Sequence, residues 1–312
     1  MKRLGIGLSV VSILALAAVI SVSGVRDGGP LGRNVGEGLA VETAAANPWT
    51  HLKINNRAGD FQFAIVTDRT GGHRPGVFSK AVGKINLLQP EFVTSVGDLI
   101  EGGSEDPGQW ALEWAEFEAQ VDALQMPFFF CPGNHDITNV PMSDEWRRKF
   151  GRSYYHFRYR DVLFLVLNSE EPRGEKVPYL FSAAQQQWAA DVLARNSDVR
   201  WTFVFFHKPI WTYTDSDPAS LGWTAIENAL QGRQYTVFSG HKHEYGRFIR
   251  KGHEYYMLAT TGGSSKLRGL DYGEFDHFVW VTMKPEGPVI ANVLLDGIED
   301  RAIRTLPDPM PR

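Results

Sequence analysis

Along the chain, short continuous apolar runs alternate with longer stretches in which apolar residues recur at helical spacing. "FQFAIVTD" (61–68), "EFVTSVGDLI" (91–100) and "FFFCPGNHDI" (128–137) each begin as a strand and end in polar residues. Between them, "GVFSKAVGKINLLQ" (76–89) and "GQWALEWAEFEAQVDAL" (108–124) read as amphipathic helices. In the second helix Trp110, Leu112, Trp114, Phe117, Val121 and Leu124 are assigned to one broad apolar side. Apolar runs without alternation are those of strands covered on both faces, so Phe128 to Cys131 is expected to be buried. The order β-α-β-α-β predicts a mostly parallel sheet with right-handed crossovers. All three strand ends then lie on one edge of the sheet, where open α/β sheets place their ligands.

That placement changes the meaning of the polar residues. Asp68, Asp98 and Asn134 are distant in sequence, yet each follows the last apolar residues of a strand. Downstream, "WTFVFFHKPIW" (201–211) delivers His207 by the same device, and "YTVFSGHKHEY" (235–245) delivers His241 and His243. In an extended segment residues at i and i+2 share a face, so two imidazoles there can reach neighbouring metals. Taken singly, a strand-end Asp is often a helix cap, an Asn after Gly a turn residue, and a strand-end His a hydrogen-bonded one. Two Asp, one Asn and three His, all at strand ends, form a metal-competent set suited to a pair of Mn, Zn or Fe ions.

Composition narrows the setting. With 312 residues, 43% hydrophobic and 22% charged, the chain is of ordinary globular make-up, and its formal net charge of −4 gives no nucleic-acid footprint. One cysteine excludes an intramolecular disulfide and a cysteine-based metal knuckle. Lys2 and Arg3 precede an uncharged, mostly apolar run from Leu4 to Val25 with small residues near its end, which reads as an export signal over residues 1–24. Uncut, the run over 4–25 is long enough to attach the chain to a membrane. Both readings place the remainder outside the cytoplasm, whether periplasmic, secreted or anchored. Residues 25–58 read as a linker or arm, 59–304 as the compact domain, and 305–312 as a Pro-rich tail.

Asp68, Gly97-Asp98, the GNHD of 133–136, His207 and the GHKH of 240–243 resemble the signature of the calcineurin-like metallophosphoesterases, over about residues 59 to 300. The resemblance implies an α/β fold: a four-layer α/β/β/α sandwich of two facing mixed sheets, with a binuclear metal site at the carboxyl ends of the strands. It implies hydrolysis of phosphate mono- or diesters by attack of a hydroxide held between two metals. On that pattern Asp98 bridges both metals, Asp68 and His243 bind the first, and Asn134, His207 and His241 bind the second. His135 stands beside the phosphate, to stabilise the transition state or protonate the leaving oxygen. Asp136 is assigned to orient it, with a cap or turn role as an equal rival.

One position departs from the pattern. The family's first motif is D-x-H or D-x-Q, whereas this chain has Asp68-Arg69-Thr70. Water, Thr70 acting through water, or His73 reaching back from the "GGHRPG" loop are the candidate replacements, and both residues are also candidate substrate contacts. The Gly-rich segment after Thr260 offers Lys266, Arg268 and Tyr272 to a phosphate or an aglycone. The segment 146–171 reads as cationic and aromatic side chains packed across a sheet edge. His51, His156, His253 and His277 have no motif context and are read as structural. No Tyr occupies the purple acid phosphatase position after Gly97-Asp98, and the GDxVDRG and RGNHE forms of protein Ser/Thr phosphatases are absent, which argues against those subtypes. The expected substrate is a small-molecule or lipid-borne phosphate ester. The rival reading is a noncatalytic phosphate- or metal-binding surface protein with a degenerate first site.

Overall fold

The apolar runs become the strands of two facing sheets. The structure, a computed structural model, describes residues 32–36, 39–43, 48–171, 181–214 and 217–308. The expected export signal lies outside these residues, and no helix among the described residues is long and apolar enough to cross a membrane. Residues 1–57 and 58–312 form separate units. In the first, Gly32–Gly36 and Leu39–Thr43 pair as an antiparallel hairpin inside the stretch read as an arm. A two-stranded ladder needs only backbone partners, so apolar periodicity does not announce it.

In the second unit, one sheet has six strands in the order Gly297–Asp300, Gly287–Leu294, His277–Lys284, Phe61–Val66, Phe92–Ser95 and Phe128–Phe129. Its last three are parallel and the remainder antiparallel. The other has seven, in the order Thr305–Leu306, Gly246–Arg250, His253–Met257, Tyr235–Ser239, Trp201–Phe205, Val162–Val166 and Tyr155–Tyr159. Thr305 and Leu306, in the stretch read as a tail, thus form an edge strand beside Arg247 and Phe248.

Phenylalanines fill the space between the sheets: the Phe63 ring lies 5.0 Å from Phe203 and 5.3 Å from Phe92, and Phe205 stacks 5.7 Å from Phe238. Each such ring contributes about 2 to 3 kcal/mol by burial, so the sheet ends leave this core as stiff supports. Helices Val77–Leu88, Pro107–Val121 and Val140–Phe150 cover the outside of the six-stranded sheet. Ala183–Arg195 and Trp223–Ala229 cover the other. The result is the four-layer α/β/β/α sandwich.

Two expectations need correction. Leu112 is 75% exposed while Trp110, Trp114 and Phe117 are buried; two residues from Trp110 is about 200° around the helix, which puts Leu112 on the far side. Phe128–Phe129 is a two-residue edge strand, and Phe128, Phe129 and Phe130 are only half-buried. The run is apolar because both faces are partly covered, Phe129 stacking 3.9 Å from Phe157 and Phe130 4.6 Å from Phe150.

Candidate metal centre

Four of the functional side chains sit two or three residues beyond a strand. Asp68 follows Phe61–Val66, Asp98 follows Phe92–Ser95, His207 follows Trp201–Phe205 and His241 follows Tyr235–Ser239. The chain turns sharply there, and Asp98, His241 and His243 all adopt left-handed backbone conformations, with φ of 57°, 74° and 54°. Such conformations cost of the order of 1 kcal/mol or more each and persist where neighbours hold them. Close approach also explains two motif glycines. A Cβ on Gly133 would collide with Asp98, and one on Gly240 with the Asp68 carboxylate.

His207 defines the centre. Its Nδ1–H donates to the Val96 carbonyl at 2.9 Å, which leaves Nε2 facing the site. Nε2 lies 3.1 Å from Asp98 Oδ2, 3.0 Å from Asn134 Oδ1 and 3.2 Å from His241 Nδ1. With neutral imidazoles and Asn134 presenting its oxygen, these four atoms direct lone pairs at one small region, and only a cation satisfies them together. A second group adjoins it. His243 Nδ1–H donates to the Ser264 carbonyl at 2.6 Å, turning Nε2 to within 3.4 Å of Asp68 Oδ1. Asp98, His207 and His241 offer ligand atoms within 4.8 Å of one another, as do Asp68, Asp98 and His243. Asp98 belongs to both groups. The donor set therefore fits a metal pair sharing one carboxylate.

The protein's own charges respond to this crowding. Burial opposes a charge on His207, but the Asp98 carboxylate outweighs it and pushes the imidazole up to about 10 in the metal-free protein. A proton thus substitutes for a cation. Burial also disfavours the Asp98 charge, yet His207 and His135 hold that carboxyl well below its usual range. His241, desolvated and beside the charged His207, is pushed down to about 2 and is neutral.

His135 lines the cavity above these groups, a space of about 590 Å³. Its Nδ1–H donates to the Glu101 carbonyl at 2.6 Å, its backbone N–H donates to Asp98 Oδ1 at 3.0 Å, and its Nε2 is 4.0 Å from Asp98 Oδ2. Asp136 is not its orienting partner. The buried Asp136 carboxylate accepts the N–H groups of Asp98, Leu99, Ile100 and Gly133 at 2.9, 2.8, 3.1 and 2.7 Å. It fixes the backbone that presents Asp98. Burial and the Asp98 charge push Asp136 up to about 7, against those four donors, which favour the carboxylate.

Of the Asp68-Arg69-Thr70 motif, Asp68 joins a metal group. Thr70 is fully buried, with Oγ1 donating to the Ile100 carbonyl at 2.7 Å and lying 3.2 Å from that of Asp98. The Arg69 guanidinium binds the Leu99 carbonyl at 3.0 Å and pairs with Glu116. Both brace the Asp98 loop from behind, and Thr70 does not face the cavity. His73 joins neither metal group; its backbone N–H binds Glu101 Oε2 at 3.3 Å. Arg268 is paired with Glu274 and lies 4.2 Å over the Tyr272 ring, and neither Arg268 nor Tyr272 lines the cavity. Lys266 does, together with four residues sequence reasoning missed: Lys242, Ser264, Ser265 and Glu274. The signal for Lys242 was its place between the two histidines of GHKH.

A fold of two facing sheets with helices outside and this donor set at one end defines a metallophosphoesterase. A family model described as calcineurin-like phosphoesterase matches residues 59–245, and the chain belongs to that family. It is 33% identical over 181 residues to the serine/threonine-protein phosphatase CPPED1 of Pongo abelii, covering 53% of this chain and 56% of that protein. The chain thus spans about half the length of the curated relatives it matches. Among solved structures, a dimetal phosphatase from Danio rerio is similar, with a TM-score of 0.56 at 16% identity, over 77% of this chain and 96% of that one. The purple acid phosphatase PPD1 of yellow lupin has a TM-score of 0.58 at 13% identity, over 78% and 53%. These structures share the fold.

Proposed function

We propose that the protein is a metal-dependent hydrolase of phosphate esters. The observation that carries this reading is the convergence of Asp98, Asn134 and His241 on His207 Nε2, with Asp98 shared by the second group. When bound, a metal pair polarises phosphoryl oxygens and supplies an activated water. Asp68, Asp98 and His243 would hold one ion, and Asp98, Asn134, His207 and His241 the other. Asn134 contributes an oxygen without a negative charge, which limits repulsion of an anionic substrate. His135, oriented by the Glu101 carbonyl, presents Nε2 to the cavity, where its proton can pass to the departing ester oxygen. The motif exclusions above concern subtype architecture. Relatives named serine/threonine-protein phosphatase keep a phosphoprotein among the substrate classes, beside small-molecule esters. The noncatalytic alternative rests on Thr70, which stands where the family's first motif has a His or Gln ligand, and metal-dependent turnover distinguishes the two readings.

Hydrolysis of p-nitrophenyl phosphate and its bis ester, with Mn, Zn or Fe supplied and Asp98→Asn as control, tests the reading. Metal-dependent turnover that the substitution abolishes supports it. Equal rates for both proteins, or no turnover with any metal, would end it. We also infer export, on the basic start and apolar run of residues 2–25; an amino terminus of the mature protein near Gly24 is the expected result of sequencing it.

A further inference from the structure

The space above the metal ligands continues beyond them. Lys242 lines the cavity of about 590 Å³ and also a neighbouring hollow of about 440 Å³, which is walled by Phe248, Met257, Leu306 and Pro307. Phe248 and Met257, 3% and 5% exposed, form its floor. The polar groups at its margin are engaged: Glu244 pairs with Arg304 at 2.5 Å, and Thr212 Oγ1 donates to the Pro209 carbonyl at 2.7 Å. The surface left facing the hollow is apolar. The Lys242 ammonium lies 5.0 Å from the centre of the Tyr213 ring, and among the described residues no carboxylate pairs with it.

We propose that this hollow receives the apolar arm of a soluble phosphate ester whose phosphoryl group sits at the metal ligands, an inference that rests on the hydrolase reading above. Lys242 joins the two parts. A lysine can lay its methylene stem along apolar surface while its ammonium reaches an anion. Lys242 lines both the metal cavity and the hollow, so one residue suits an ester that is anionic at one end and apolar at the other. Binding of the arm, remote from the reacting phosphorus, orients the ester for attack. The specificity is for alkyl or aryl esters over short polar ones.

Phosphonates test this without turnover. Calorimetric titration of the full chain, loaded with Mn or Zn, would compare methyl-, butyl- and octylphosphonate. Each buried methylene strengthens binding about fourfold, so octylphosphonate should bind at least about tenfold more tightly than methylphosphonate. Leu306→Asp should remove that gain and leave methylphosphonate binding unchanged. Pro307→Asp, at an exposed position on the rim, does the same work if the first variant fails to fold. A flat series, or a gain retained in a folded variant, overturns the proposal. So does capture by phosphatidic acid vesicles without a chain-length gain in solution. Turnover of p-nitrophenyl phosphate by the same preparation separates the two readings: turnover with a flat series rejects only the hollow, and a chain-length gain without turnover rejects only the hydrolase.

Discussion

Metal binding by this protein should release protons, because His207 uses a proton where a cation belongs. Its imidazole is pushed up to about 10 by the Asp98 carboxylate 3.1 Å away, and Nε2 must lose that proton to coordinate. At pH 7, about three pH units below that value, the competition weakens apparent metal affinity about a thousandfold, or roughly 4 kcal/mol. Affinity should therefore rise about tenfold per pH unit across pH 6.5 to 8.5. Titration of chelator-treated protein with Zn in buffers of different ionisation enthalpy should show at least about one proton released per site filled at His207. The sign for stability is opposite. A raised histidine stabilises the metal-free fold fully below about pH 6.5, and that contribution is lost as pH rises through about 10. The metal-free melting temperature should fall over that range. An affinity independent of pH, with no proton released, would refute the argument by showing His207 neutral before metal arrives.

Four other outcomes follow from the geometry. His135→Gln should leave metal content unchanged and slow alkyl phosphate hydrolysis about 100-fold or more, with a much smaller effect on p-nitrophenyl phosphate, whose leaving group needs no proton; metal analysis beside steady-state rates checks this. Asp136→Asn replaces an acceptor of four N–H groups with a side chain that is half donor, and should cost about 2 to 3 kcal/mol in urea unfolding and lower metal occupancy. Gly240→Ala sets a methyl against the Asp68 carboxylate, so metal bound per chain should fall in elemental analysis while the far-ultraviolet circular dichroism is retained. Thr70→Val should keep full metal content and cost only about 1 kcal/mol of stability, because its hydroxyl braces a loop and binds no metal; a loss of metal would restore Thr70 to the site.

Much of the centre was legible because its ligands obey local rules. Asp68, Asp98, His207 and His241 each stand just past a strand, and an apolar run followed by a turn announces a strand end without reference to the fold. The GNHD and GHKH motifs were legible through the family resemblance, whereas the close approach of their glycines to Asp98 and Asp68 appeared only in the structure. Asp136 was misread because its partners are backbone N–H groups, of which every residue has one. Nothing in the side chains of Leu99 or Ile100 shows that they point at a carboxylate. Arg268 and Tyr272 were misread as ligand contacts because a cation and an aromatic ring attract each other and a nearby carboxylate as readily as they attract a substrate.

By itself, then, the sequence determined the alternation of strands and helices, the candidate metal donors and the edge of the sheet at which they gather. Those follow from periodicity and chain reversal, which act over a few residues. Only the tertiary structure decided what fills the space around the donors: that Thr70 and Arg69 brace the Asp98 loop, that Asp136 fixes its backbone, and that Lys242 stands between two hollows. These depend on packing two sheets face to face, which brings segments more than a hundred residues apart, such as Val96 and His207, within hydrogen-bonding distance. Contacts of that range carry no local signature, because each partner's type is common and its direction is set by elements elsewhere in the chain.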